Sequence, residues 1–120
     1  MSNTTGGTDS FGPLADLPFQ ILLALGAGKS HGYAIGKEIE GRTSGRLNPT
    51  TGALYQALRR LREDNLIEPC DPPVDEEGCD PRRRYFKLTR TGKRVMALEV
   101  ERLEDLIGVA RERSLAPKRS

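Results

Sequence analysis

The 120-residue sequence holds no Trp, one His and two Cys, and aromatic residues make up only 5% of it. A protein-only tetrahedral zinc site draws four ligands from Cys and His, so this stock falls short unless carboxylates or a second chain contribute. A hydrolytic triad would have to be built on His31, and no nucleophile, base and orienting group cluster in the sequence. The longest apolar run, residues 21–27, is far shorter than the ~20 residues that span a bilayer. The N-terminus lacks a basic stretch followed by an apolar one, so a cytoplasmic protein is expected rather than a secreted one. These scarcities point away from an enzyme, a metal centre, a bound cofactor and a membrane protein.

Hydrophobic residues make up 36% and charged residues 30%. At this length they supply one small domain of two packed layers, with a core of Leu, Ile, Val and Ala. The formal net charge of +2 conceals a strong segregation. Residues 1–40 carry −2 and residues 41–68 carry +2, while residues 69–81 hold five acids and no base. Residues 82–94 hold seven bases and no acid, and the remainder is balanced. An acidic loop running directly into a basic strand concerns partners rather than fold.

Residues 1–13, rich in Ser, Thr and Gly, read as a disordered tail, as do residues 116–120, since neither buries enough surface to offset its ordering entropy. Between them the hydrophobic period is helical, then strand-like, then helical again. A first helix is predicted from Asp16, as N-cap, to Ala27, with Pro18 in its first turn and Gly26 and Gly28 closing it. Ile21, Leu22, Leu23 and Leu25 make it the most buried helix. A second helix, capped by Ser30, runs from His31 to Arg42 with Ile35 and Ile39 inward. A third follows Asn48-Pro49-Thr50-Thr51. Either Asn48 caps it with Pro49 at the first position, or Thr50 caps it; Thr50 is favoured, and the helix runs to about Asp64. Leu54, Ala57, Leu58 and Leu61 form its apolar stripe, and Thr51, Gly52, Tyr55, Gln56, Arg59 and Arg62 its other face, with Arg60 at the side. Residues 66–68 and 84–88 read as the two strands of a hairpin around a Pro-bearing tip.

The final helix is expected from about Thr91 to Ser114. Met96, Val100, Leu103, Ile107 and Ala110 are spaced four, three, four and three apart, which is a heptad seam. Glu99, Arg102, Glu104 and Arg111 flank it, and Val95, Leu98 and Leu106 add a second apolar flank. A terminal helix apolar on more than one side has little core of its own to cover. Half of it is therefore expected on the domain and half on a partner chain.

Three helices, a two-stranded β-wing and a long C-terminal helix make the layout of a winged helix-turn-helix, a mainly α (α+β) fold. Residues 14–89 would form the DNA-binding domain and residues 90–115 the dimerisation helix. In that geometry the third helix enters the major groove and the hairpin reaches adjacent phosphates. Thr50 and Thr51 place small hydroxyls near the groove floor, and Gly52 allows close backbone approach. Gln56 can pair with adenine and Arg59 with guanine or phosphate. Arg82, Arg83, Arg84 and Lys87 supply wing charge. Blander readings stand beside these. A polar helix face bearing Arg is most often a solvated surface, and the run from Arg82 to Arg84 can simply neutralise Asp75, Glu76, Glu77 and Asp80. Tyr33 and Tyr55 can be half-buried aromatics, and His31 a packing or phosphate-touching residue. The coincidence of helix order, groove-facing chemistry and wing charge favours double-stranded DNA as the partner; a winged helix that docks on protein is the alternative.

The same residues carry a resemblance. Ile21-Leu22-Leu23-Ala24-Leu25 followed by Ser30-His31-Gly32-Tyr33-Ala34-Ile35 resembles the opening of PadR-family transcriptional regulators. So do Thr51-Gly52-Ala53-Leu54-Tyr55-Gln56-Ala57-Leu58-Arg59-Arg60-Leu61, Asn65-Leu66-Ile67-Glu68, and Arg83-Arg84-Tyr85-Phe86-Lys87-Leu88-Thr89 with Gly92. The resemblance implies a homodimeric DNA-binding regulator, usually a repressor, acting on palindromic operators. Its short branch dimerises through a single C-terminal helix, in keeping with the seam from Met96 to Ala110. It also implies DNA contacts at Tyr33, Thr51, Tyr55 and the wing arginines, to which Lys37 and Arg60 are added. Such regulators can answer to a small-molecule effector; the last helix has no Trp or Tyr to stack on one, and none is assigned.

Cys70 and Cys79 flank the acidic tip, with eight residues between them. They are either two reduced thiols or the sensor of a redox-responsive wing, and spacing alone does not establish the geometry a disulfide needs.

Overall fold

The computed structural model describes residues 15–73 and 82–117. The expected N-terminal tail, most of the acidic tip with Cys79, and residues 118–120 lie outside that part. Seven elements follow in order: α1 (Asp16–Leu25), β1 (Ser30–His31), α2 (Gly32–Arg42), α3 (Thr51–Glu63), β2 (Ile67–Cys70), β3 (Tyr85–Leu88) and α4 (Arg90–Glu112).

One core joins them. Ile21, Leu22 and Leu25 of α1, Ile35 and Ile39 of α2, and Leu54, Leu58 and Leu61 of α3 meet Leu66, Ile67, Phe86 and Val95. Burying each such side chain contributes roughly 1.5–3 kcal/mol, more than any single cap. Packing therefore decides the fold, and the caps set where each helix begins.

At α1 the start differs from expectation. Ala15 holds the N-cap position without a side-chain bond, and Asp16 lies in the first turn. There its charge faces the helix N-terminus and Arg46, 3.9 Å away. The helix closes at Leu25, two residues before Ala27. Ser30 does not cap α2. It pairs with Phe86 and His31 pairs with Tyr85, so the wing is a three-stranded antiparallel sheet in the order β1-β3-β2 rather than a two-stranded hairpin. With Ser30 committed to the strand, capping passes to His31, whose Nδ1 accepts from the Ala34 N–H at 3.2 Å. On the other edge, Glu68 lies opposite Lys87 and pairs with it at 3.8 Å.

The third helix starts where the favoured reading puts it, with Thr50 Oγ1 accepting from the Ala53 N–H at 3.1 Å. It stops through Asn65, which adopts φ +64°. The Leu66 N–H then donates to the Leu61 carbonyl and the Asn65 N–H to the Arg62 carbonyl, each at 2.9 Å. This is a Schellman closure with Asn where Gly is usual. The same turn closes α2 at Ser44 and α4 at Ser114, again with positive φ.

Thr89 ties α4 to that turn. Its Oγ1 accepts from the Gly92 N–H at 2.9 Å and donates to the Asn65 carbonyl at 2.7 Å. Gly92 is pressed on the same spot, since a Cβ there would come within 2.1 Å of the Leu66 carbonyl oxygen. Val95 joins the domain core, so α4 begins inside the domain rather than beside it. Glu99, expected on an exposed flank, is 6% exposed and accepts from Arg102 Nε and Nη2 at 3.2 and 2.7 Å. Beyond Glu99 no residue of α4 is buried, and Val100, Leu106, Ile107 and Val109 are exposed apolar side chains. Among the described residues no helix is long and apolar enough to cross a membrane.

Candidate nucleic-acid interface

Leu54, Leu58 and Leu61 hold α3 to the core, which turns Thr51, Gly52, Tyr55, Gln56 and Arg59 outward. Tyr55 is the centre of the exposed surface. It walls three hollows: a 340 Å³ cavity against α2, a groove shared with Gly52, Gln56 and Arg59, and a 370 Å³ cleft against β3. Its phenol lies over the first residue of α2, where a Cβ on Gly32 would sit 2.6 Å from the hydroxyl. Tyr55 is nonetheless 47% exposed, so its ring is held in place and still available.

The cavity brings residues of α2 and the wing to the start of α3. Tyr33, Lys37, Thr51, Tyr55 and Arg83 all line it. Tyr33 is 57% exposed, with Lys37 Nζ 5.9 Å and Arg83 Cζ 5.1 Å from its ring centroid. Both cations are within reach of the ring's negative face. His31 secures the arrangement from beneath. Its ring is parallel to Tyr33 at 6.5 Å, meets Tyr85 edge-on at 5.1 Å, and its Nδ1 lies 3.4 Å from Arg83 Nη1. Glu40 also lines the cavity and sits 4.0 Å from Lys37.

Not every expected residue joins this surface. Arg60 pairs with Asp64 at 3.9 Å and lines none of the three hollows. Arg82 is exposed but lines none of them either. Thr50 has a structural task as the cap of α3. Arg84 meets Arg59 in the β3 cleft, together with Arg62. Arg62 was placed on the outer face of α3 by its spacing but given no contact. The signal for it lay in that spacing, three residues after Arg59 and seven after Tyr55. For His31 the sequence offers a packing or phosphate-touching role; its position opposite Tyr85 depends on a strand pairing across half the chain, which local pattern does not reveal.

Cys70 is part-buried opposite Tyr85. Burial pushes its thiol above the ordinary value, and Lys29 and Lys87 pull it down by less. A redox-sensing thiol needs the opposite shift. Among the described residues no group of His, Cys, Asp and Glu is placed to hold a metal ion.

The model of the transcriptional regulator PadR-like family matches residues 21–98, from α1 into α4. The chain belongs to the PadR-like family of transcriptional regulators. The match spans the core, all three hollows and the anchored half of the last helix. An uncharacterised 37.1 kDa protein in transposon Tn4556 of Streptomyces fradiae is 38% identical over 93 residues. Those residues are 78% of this PadR-like chain and 24% of that protein, so the chain spans about a quarter of that relative's length. A PadR family transcription regulator from Clostridium difficile R20291 has a similar structure, with a TM-score of 0.65 at 25% identity over 80% of this chain and 95% of that one. Bacillus subtilis PadR, solved in complex with operator DNA, shares the fold with a TM-score of 0.57 at 20% identity over 71% of this chain and 46% of that one.

Proposed function

We propose that this PadR-like chain is a cytoplasmic DNA-binding repressor that acts as a homodimer on a palindromic operator. The observation that carries this reading is the convergence on Tyr55 of the outward face of α3, Tyr33 and Lys37 of α2, and Arg83 of the wing. A single helix fits the major groove. Thr51 and Gly52 then meet the groove floor, and Gln56 and Arg59 read base edges. Tyr33, Lys37 and Arg83 lie against the adjoining phosphates. A protein with this fold solved in complex with operator DNA supports duplex DNA as the partner. The dimer is supported by α4, which beyond Glu99 keeps no buried residue and presents Val100, Ile107 and their neighbours to a second copy. Paired helices would set the two α3 helices on half-sites one helical turn, or a multiple of it, apart.

A mobility-shift titration against fragments of the source genome, repeated over a salt series, tests the reading. Specific binding that weakens steeply with salt, by a species of twice the chain mass, is the expected result. A monomer without a preferred fragment would overturn it.

A further inference from the structure

We propose that the cleft between α3 and β3 seats one phosphodiester of the duplex backbone, with Arg62 as an anion-binding residue. The proposal rests on the DNA-binding reading above and adds a subsite to it. Tyr55, Leu58 and Phe86 wall the 370 Å³ cleft, and Arg59, Arg62 and Arg84 line it. Five cations outside the cleft are matched by acids. Arg42 pairs with Glu38, Arg46 with Asp16, Arg60 with Asp64, Lys87 with Glu68 and Arg102 with Glu99. Among the described residues none of the three cleft arginines has an acid within ion-pair distance, and no carboxylate lines the cleft. Asp64 and Glu68 are engaged by Arg60 and Lys87, and Glu63, four residues after Arg59, neither lines the cleft nor forms an ion pair among the described residues.

Three like-charged arginines line one hollow, and an anion seated there would be attracted by all three. Planar guanidinium forks match phosphate oxygens, and apolar walls strengthen the attraction by lowering the local dielectric. The anion belongs to the duplex because Arg59 lines both this cleft and the groove that holds Gln56. The cleft is thus continuous with the surface that faces the bases. Arg62 lies in the last turn of α3, away from the end that enters the groove. Its contact is therefore with backbone and carries no sequence preference.

The test compares Arg62→Gln, Arg84→Gln, Arg83→Ala and, as a paired arginine outside the cleft, Arg60→Gln, by fluorescence titration of the full chain with operator and scrambled duplexes over a salt series. Arg62→Gln and Arg84→Gln should each reduce the slope of log K against log salt by about 1 and weaken both duplexes on the order of tenfold. Arg60→Gln should match wild type. If Arg62→Gln and Arg84→Gln behave like Arg60→Gln while Arg83→Ala still lowers the slope, the seat is wrong and the DNA reading stands. If wild type shows no salt-sensitive duplex binding, that reading fails first. A final arm titrates inorganic pyrophosphate alone against thermal unfolding. Protection that depends on Arg62, with unchanged DNA slopes, would assign the cleft to a free phosphate anion and overturn the duplex assignment.

Discussion

The Tyr55 hydroxyl lies so close over Gly32 that a Cβ built there would sit 2.6 Å from it. The Tyr55 side chain thereby packs directly on the α2 backbone at Gly32. The absence of a methyl group on α2 leaves room for the α3 phenol, and Tyr55 is a shared wall of all three hollows. The His-Gly-Tyr sequence serves one arrangement: His31 caps α2 and approaches Arg83, Gly32 admits Tyr55, and Tyr33 receives Lys37 and Arg83.

Gly32→Ala should therefore displace Tyr55 rather than unfold the protein. The obstructing atoms are the tip of a half-exposed side chain that can swing outward, and Ala is the better helix former. Stability in urea should stay within about 1 kcal/mol of wild type. Duplex affinity should fall as far as it does in Tyr55→Ala. In the Tyr55→Ala background, Gly32→Ala should add no further loss. Additive losses in that double-mutant cycle would show that the two residues do not act through one contact.

Gly92 presents the opposite case. A Cβ there would come within 2.1 Å of the Leu66 carbonyl oxygen, and backbone cannot swing away. Gly92→Ala must lift the start of α4 from Leu66, in the turn that closes α3, which should cost about 2–4 kcal/mol in urea or thermal unfolding. Thr89→Val removes both the cap on the Gly92 N–H and the bond to the Asn65 carbonyl, so about 1–2 kcal/mol is expected. A milder effect from Gly92→Ala than from Thr89→Val would contradict the tight approach.

What the sequence alone reveals here follows the range of each interaction. Thr50 and the stripe of Leu54, Leu58 and Leu61 are local, and α3 is found where they put it. The seam from Met96 to Ala110 is local as well, and α4 is found over it, with Val100 and Ile107 exposed in the single chain. β1 was missed because two residues show no alternation; it exists only through pairing with Phe86 and Tyr85, more than 50 positions away. That long-range pairing takes Ser30, the better capping residue by type, and leaves His31 to cap α2. A heptad gives Glu99 a place on the flank of the seam but does not reveal that it is buried there beside Arg102. The division between Arg60, which is paired, and Arg62, which is not, is set by which neighbour holds an acid, and composition treats the two alike.

The positive-φ closures offer a stability test free of packing. Ser44 closes α2 with φ 54°, a conformation that costs an L residue other than Gly roughly 1 kcal/mol. Ser44→Gly should raise the urea midpoint by an amount worth roughly 0.5–1 kcal/mol. Asn65, with φ 64°, tolerates this region better, and Asn65→Val should lose about 1–2 kcal/mol because a branched Cβ crowds the turn. A loss of stability in Ser44→Gly would show that the turn is not strained.

Oligomeric state can be separated from folding at Ile107. Its side chain is 43% exposed in the single chain, so Ile107→Glu removes little from the domain core. On the dimer reading it places two like charges in an apolar seam. Sedimentation should show a shift from dimer to monomer, with near-UV and far-UV dichroism unchanged. Operator affinity should drop at least tenfold, because one α3 no longer positions the second. Dimers that persist in Ile107→Glu would place the partner surface elsewhere.

Cys70 supplies the pH test. In a Cys79→Ser variant, Cys70 is the one thiol of the chain, and burial holds it above the ordinary thiol value. Its alkylation rate should therefore rise with a midpoint displaced to higher pH than that of the same protein in urea. The linked effect on stability has a definite sign. Below the ordinary thiol value both states keep the proton and the stability is full. As pH rises from that value through the folded one, the unfolded chain loses its proton first, and stability falls. A thiol that resists ionisation is also slow to attack an oxidant. Operator affinity should accordingly be equal under reductant and mild oxidant, and unchanged in Cys70→Ser, Cys79→Ser. A midpoint below the ordinary thiol value, joined to oxidant-sensitive DNA binding, would restore the redox-responsive wing.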